Sequence, residues 1–373
     1  MAVIKKKNTI NLLFDNYNVM LIGEPKSGKT SLFFDVMLTK YGNVEAGAII
    51  PLEVGYSHLN GANVLVTTDD NDNPKPCVED WDDFEEIVDD LIENRFTEYA
   101  NVKCVLVDTI DRLNKLAEAE IIRRSCKKGT RADSINKAFG GYGAGIVKQK
   151  ELIDMTLRRL RMAGYGLWSA AHLKEKVIKK DETDEGYNAL TSLMQEGLYK
   201  IYTQDCDFIC MITNESEVVP EKGVVKHHRI RFCGDSYFAL AGSRFAPFLP
   251  EYIDYSAANF LNAFDEAMQK ASNLTPEQIK INIEAQMAAK QAAVKQFLVE
   301  DQTDKEKQKI EALVEDFNAL RLSASETIKN AIYKKVTMEG CQDIYGLINK
   351  IGYDIVKDMY DKCLAADKEM KAK

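Results

Sequence analysis

Short apolar runs ending in glycine or a polar residue, each followed by apolar positions at helical spacing, recur through the first 260 or so residues. The run 18–22 predicts a strand, and 31–39 predicts a helix with Leu32, Val36 and Met37 inward. Residues 48–53 and 63–68 are further β-prone runs, separated by Gly55 and the Asn60-Gly61 turn signal. A helix is expected over 81–92, with Trp81, Phe84, Val88 and Leu91 on one face, and then a strand over 102–107 closed by Asp108. The amphipathic stretch 146–162 buries Ile153, Leu157 and Leu160. A strand over 167–171 ends at His172, and the charged stretch after it, to about Glu196, reads as flexible. Strands are expected at 208–213, 226–232 and 237–241, the last two joined by a Gly234-Asp235 hairpin turn. Alternation of this kind specifies an α/β fold, a mostly parallel sheet flanked by helices, over residues 1–272. Beyond it, Ala, Glu, Gln, Lys and Leu dominate 273–373, which predicts a helical C-terminal region opening with Pro276 at a first helical position.

Composition narrows the class. The chain has 373 residues, 45% of them apolar, and no apolar run long enough to span a bilayer, so a membrane role is not expected. Lys5, Lys6 and Lys7 precede no cleavable apolar segment, and eight scattered cysteines form no CxxC pair. Both features favour a reducing cytoplasm. The net charge of −9 is unevenly spread. Residues 69–98 alone carry −11, whereas 112–131 carry +5, so the second stretch is where phosphates could be met.

The most specific signal is the octapeptide Gly23, Glu24, Pro25, Lys26, Ser27, Gly28, Lys29 and Thr30 between the first strand and the first helix. Glycines let the backbone approach phosphate, the helix N-terminus offers unpaired N–H groups, and Lys29 adds a point charge. Thr30 supplies a hydroxyl for Mg²⁺ and Ser31 continues the nucleotide contact. ATP is the expected nucleotide. Asp108 fits the acidic residue that holds Mg²⁺ through water from a strand adjacent to the loop strand, although a helix cap would also suit it. Glu53, ending the second β-prone run, is the candidate for activating water.

In order along the chain stand GEPKSGKT, PLEVG, EDWDDFEEI, VLVDT, GGYGAG, a strand ending AAH, AGSRF and LPEYID. This series resembles the phage nucleotide-binding ATPases of the Sak type, RecA-like proteins of single-strand annealing, over about residues 18–255. The resemblance implies an oligomeric ATPase, filament or ring, that assembles on single-stranded DNA and promotes annealing or strand exchange in recombination, with a single-strand binding protein as a further partner. It implies Glu53 as the residue that polarises water and His172 as a sensor of the γ-phosphate. Pro51 before Leu52 and Glu53 departs from the usual acid-x-Glu form.

The resemblance places DNA along the loops after the Asp108 and His172 strands. Arg123, Arg124, Lys127, Lys128 and Arg131 in the first, and Lys174 and Lys176 in the second, are the candidate phosphate contacts. Phe139 and Tyr142 add aromatic surface for bases. Lys226, Arg229, Arg231 and Arg244 are candidates for a cation acting on a neighbouring subunit's site. Two other readings fit the same loop: an accessory or loader NTPase acting on replication proteins, and a nucleotide-gated binding module with little turnover.

Overall fold

The computed structural model describes residues 9–127, 132–178, 187–219 and 223–372. Its sheet starts with β1 (Val19–Gly23), followed by α1 (Lys29–Tyr41), β2 (Gly47–Pro51), the two-residue β3 (Asn63–Val64) and α2 (Trp81–Glu93). Then come β4 (Cys104–Asp108), α3 (Ile110–Lys127), α4 (Ala144–Met162), β5 (Gly166–Ile178), β6 (Tyr187–Ser192) and α5 (Glu196–Gln204). The sheet is completed by β7 (Phe208–Val219), β8 (Gly223–Arg231), β9 (Gly242–Ser243) and β10 (Tyr252–Asp254). The order across it is β10-β8-β7-β1-β5-β4-β2-β3, with β6 on β5 and β9 on β7. β7, β1, β5, β4, β2 and β3 run parallel, and the additions at β6, β8, β9 and β10 are antiparallel. The α/β sheet expected from the alternating pattern is therefore present.

The pleat sorts the core. Val19 and Leu21 of β1, Cys104 and Leu106 of β4, Trp168 and Ala170 of β5, and Phe208, Cys210 and Ile212 of β7 share one face. That face is covered by Leu32, Phe33, Val36 and Met37 of α1 and by Phe260, Leu261 and Phe264 of α6 (Ala257–Ser272). Met20, Ile22, Val105 and Val107 alternate with them and are equally buried. Strands covered on both faces read as continuous apolar runs, which is why VMLI and CVLV are legible in the sequence. Each such Leu, Ile or Phe removed from water contributes roughly 1.5–3 kcal/mol.

Four elements differ from expectation. The charged stretch after His172 is partly a ribbon: β5 continues to Ile178 and pairs antiparallel with β6, Leu173 opposite Ser192. β7 likewise runs on to Val219 and pairs antiparallel with β8, Val218 opposite Val224, so the hairpin partner of β8 is β7 and not the segment after Gly234-Asp235. Residues 237–241 form no strand, because the Asp235 carboxylate accepts the main-chain N–H groups of Tyr237 and Phe238 and folds the chain locally instead. Of 63–68, only Asn63 and Val64 join the sheet.

The C-terminal helices are α7 (Pro276–Ser323), α8 (Glu326–Met338), α9 (Ile344–Ile351) and α10 (Tyr353–Ala372). The chain divides into two compact units, Met1–Val294 and Lys295–Lys373, and the division falls inside α7 rather than at the change of composition near Asn273. The first turns of α7 belong to the sheet-containing unit because Gln286 bonds the main chain of Ile10 and Leu12, and Lys290 pairs with Asp15 at 2.8 Å. The second unit has its own core of Leu313, Phe317, Leu320, Ile328, Ile332, Leu347, Ile348 and Val356.

Candidate nucleotide-binding site

The phosphate loop leaves β1 at Gly23 and enters α1 at Lys29. A Cβ on Gly23 would lie 2.4 Å from Ser27 Oγ and 2.9 Å from Ile212 O, so only glycine fits the turn. Gly28, at φ +90°, is the N-cap of α1, and a Cβ there would lie 2.6 Å from the hydroxyl of Tyr255. Glu24, Pro25 and Lys26 are exposed, Lys26 at φ +65°, while Ser27 is buried with its hydroxyl unpartnered among the described residues. The Lys29 ammonium donates to the carbonyls of Gly23 (3.1 Å) and Glu24 (2.9 Å), which curls the lysine back over the loop. Burial lowers its pKa, opposed by the charges of Asp108, Asp111 and Glu53.

Thr30 Oγ1 donates to Asp108 Oδ2 at 2.6 Å. Burial raises the Asp108 pKa, while the Thr30 hydrogen bond and the Lys29 charge oppose it. The contact forms although β4 is not the neighbour of β1: β5 lies between them, which corrects the adjacency expected from sequence. The intervening strand puts His172 opposite Gly23 in register. His172 donates its main-chain N–H to Asp111 Oδ2 at 2.7 Å, and its Nδ1 lies 3.4 Å from the same oxygen. Glu53 is exposed just past β2 and accepts from Thr109 Oγ1 at 3.2 Å. Ser31, one residue into α1 from Thr30, meets His58 Nε2 at 3.0 Å.

An oxygen donor pair of threonine hydroxyl and aspartate suits a hard divalent cation such as Mg²⁺. Among the described residues no group of three or more His, Cys, Asp or Glu is arranged to hold a metal by itself, so a cation here would need phosphate oxygens to complete its shell.

Two contacts from distant sequence were not foreseen. Tyr255 donates its hydroxyl to Gly28 O at 2.7 Å, and His228 Nε2 lies 3.0 Å from Ser27 O. The two rings stack at 3.9 Å and 12°, and Tyr255 N–H bonds His228 O. Nothing in the local pattern of β8 or of the segment after β10 marks these side chains, because only the β8–β10 pairing brings them to the loop.

The remaining candidates are dispersed. Arg123 bonds Glu120 and Asp82, and Arg124 bonds Glu120 and reaches Glu85, so the basic stretch of α3 is matched by the acidic helix α2. Lys127 ends α3; Lys128 and Arg131 lie outside the described residues. Lys174 and Lys176 are exposed on the β5–β6 ribbon, Lys174 donating to Leu193 O. Tyr142, at φ +52°, is fully exposed. Arg229 and Arg231 are clamped by Glu215, Arg231 also by Glu251, and Arg244 by Asp207, which leaves Lys226 as the trans candidate exposed without an ion pair among the described residues.

No curated protein matches this chain. Residues 15–239 match the family model described as AAA domain, a span that holds the loop, Glu53, Asp108, His172 and β8. That match covers more than half of the 373 residues, and the chain therefore belongs to the AAA domain family and carries a nucleotide-binding core of the P-loop ATPase type.

Proposed function

We propose that the protein is an Mg²⁺-requiring ATPase that binds single-stranded DNA and assembles with copies of itself to promote annealing or strand exchange. The observation that carries the ATPase part is the 2.6 Å bond between Thr30 and Asp108 beside the Lys29 ammonium, at the N-terminus of α1. Those groups supply what a triphosphate needs: helix N–H groups and an ammonium for the β- and γ-oxygens, and two oxygens for a cation. A bound Mg²⁺ would draw charge off the β- and γ-phosphate oxygens. Lys29 releases the loop carbonyls of Gly23 and Glu24 to reach phosphate, and Glu53 orients the attacking water from its exposed position. Hydrolysis by the native chain, by Lys29→Ala and by Glu53→Gln tests this. A loss of about 100-fold or more in either variant supports it, and unchanged turnover in both defeats it.

The DNA part rests on the Sak-type resemblance together with the ribbons. β5–β6, with Lys174 and Lys176, and β7–β8, with Lys226, run on past the end of β1, on either side of the phosphate loop. Cations there reach a polyanion without leaving the nucleotide edge. The Arg123 and Arg124 pairs weigh against the α3 surface as the main contact and shift the weight to the ribbons. Binding of a fluorescent oligonucleotide across a salt series, for the native chain and Lys174→Ala/Lys176→Ala, decides. A shallower salt slope in the variant is expected, by about one unit for each phosphate no longer neutralised, and an unchanged slope sinks the ribbon as the DNA site. The same charge matching favours a second reading, an NTPase acting on a protein partner, for which turnover would be indifferent to single strands.

A further inference from the structure

Asp111 is a half-buried acid that the phosphate-handling residues leave without a task. It stands in the first turn of α3, and its side chain is only 9% exposed. An aspartate in the first turn ordinarily serves the positive N-terminal end of its own helix. Here Oδ2 instead takes the main-chain N–H of His172, at the end of the sheet's β1–β5 register, and the imidazole Nδ1 lies 3.4 Å from the same oxygen. Oδ1 has no hydrogen-bond partner among the described residues, a costly arrangement for a carboxylate out of water. Its charge reaches the Lys29 ammonium.

The surroundings keep this acid still. One turn on, Asn114 accepts from the Tyr202 hydroxyl at 2.8 Å, donates to Met194 Sδ at 2.9 Å, and its carbonyl accepts from Gln149 at 2.8 Å. The His172 carbonyl accepts from Leu193 N–H at 3.1 Å, so the histidine main chain is held from both sides. A histidine ring is oriented by whatever its far nitrogen meets.

We propose that Asp111 is the positioning residue for His172: it holds the main chain and the Nδ1 edge of the imidazole, which leaves Nε2 as the ring atom that meets a terminal phosphate. The inference rests on the reading of His172 as a nucleotide contact. It makes α3, rather than the strand that carries the histidine, the element that sets the ring, and it ties the ring to the Asp108 side of the site.

The test uses the full chain and nitrogen-proton correlation spectra of its four histidine rings, His172 being assigned by its loss in His172→Asn. Native His172 should be protonated at Nδ1, and this pattern should change in Asp111→Asn, an isosteric variant. Turnover of Asp111→Asn should fall roughly 10- to 100-fold while nucleotide affinity moves less than about threefold. The double variant should be no slower than His172→Asn alone, as for residues acting through one another. A native ring protonated only at Nε2 overturns the proposal, and this reading is taken on the native chain. Unchanged His172 signals in Asp111→Asn, or losses that multiply in the double variant, overturn it as well. If His172→Asn turns over normally, the reading of His172 as a phosphate contact fails, and the Nδ1 signal alone still decides the part played by Asp111.

Discussion

Two main-chain carbonyls of the phosphate loop are held by side chains some 200 positions away in sequence, Ser27 O by His228 and Gly28 O by Tyr255. A loop built from glycines is entropically soft, and fixing it before a nucleotide arrives reduces the ordering cost of binding. Tyr255→Phe keeps the ring stacked on His228 but removes the donor. It should cost about 1 kcal/mol of stability and weaken nucleotide binding by a few-fold, as thermal unfolding and a titration with a fluorescent nucleotide would read. Gly28→Ala meets the same hydroxyl at 2.6 Å and a φ of +90° at once, so it should lose far more affinity than Tyr255→Phe. If the alanine variant binds as tightly as the phenylalanine variant, the tight approach is not what demands glycine.

Between elements, charge is matched locally. The acidic α2 and the basic α3 face each other through Arg123–Asp82 and Arg124–Glu85, and both arginines converge on the buried Glu120. Burial pushes the Glu120 carboxyl up, but the hydrogen bonds from Arg123 and Arg124 outweigh it and hold it down. Removing both arginines strands that carboxylate, so Arg123→Ala/Arg124→Ala should lose about 1–3 kcal/mol, whereas exposed pairs alone would cost less than about 1. Chemical denaturation separates this from weakened DNA binding, which leaves stability alone.

At the β7–β8 ladder, burial would raise the Glu215 carboxyl, yet hydrogen bonds from Arg231, Thr213 and Arg229 hold it at about 2. Its folded value lies below the unfolded one of about 4.3, so the stability it contributes is fully present above that pH and is lost as the pH falls toward 2. Glu215→Gln should lose up to about 3 kcal/mol near neutrality and show a flatter stability profile between about pH 5 and 2 than the native chain. Parallel profiles for the two would show that the arginine cluster does not set acid sensitivity.

For the whole molecule, the division inside α7 has a practical consequence. Residues through Val294 contain the sheet, the loop and the α7 turns that pair with Asp15 and Ile10, while Lys295–Lys373 close a separate core around Phe317 and Leu347. Truncation after Val294 should leave nucleotide affinity within about twofold of the full chain, since a unit with its own core keeps its own site. Truncation after Ser272 removes Gln286 and Lys290 and exposes Phe14 and Leu13, and should lower the melting temperature by several degrees. Equal melting of the two truncations would mean that the first turns of α7 are not part of the core. Among the described residues no helix is long and apolar enough to cross a membrane.

What depends on near neighbours along the chain is legible in the amino-acid order alone. The loop with Lys29 and Thr30, the buried strands VMLI and CVLV, and the faces of α1, α2 and α4 follow from spacing, because residues three or four apart on a helix and glycines at a tight turn act locally. Asp108 is legible as the acid closing a buried strand, although its distance from Thr30 is not. The rest follows from packing in three dimensions. Strand order is set by pairing and not by succession, so the insertion of β5 between β1 and β4 has no local signal. Ion pairing across elements consumes Arg123, Arg124, Arg229, Arg231 and Arg244, which a count of charges leaves free. His228, Tyr255 and Asp111 reach the site only through β8–β10 pairing and the packing of α3 beside β5, contacts whose partners lie tens to hundreds of residues apart.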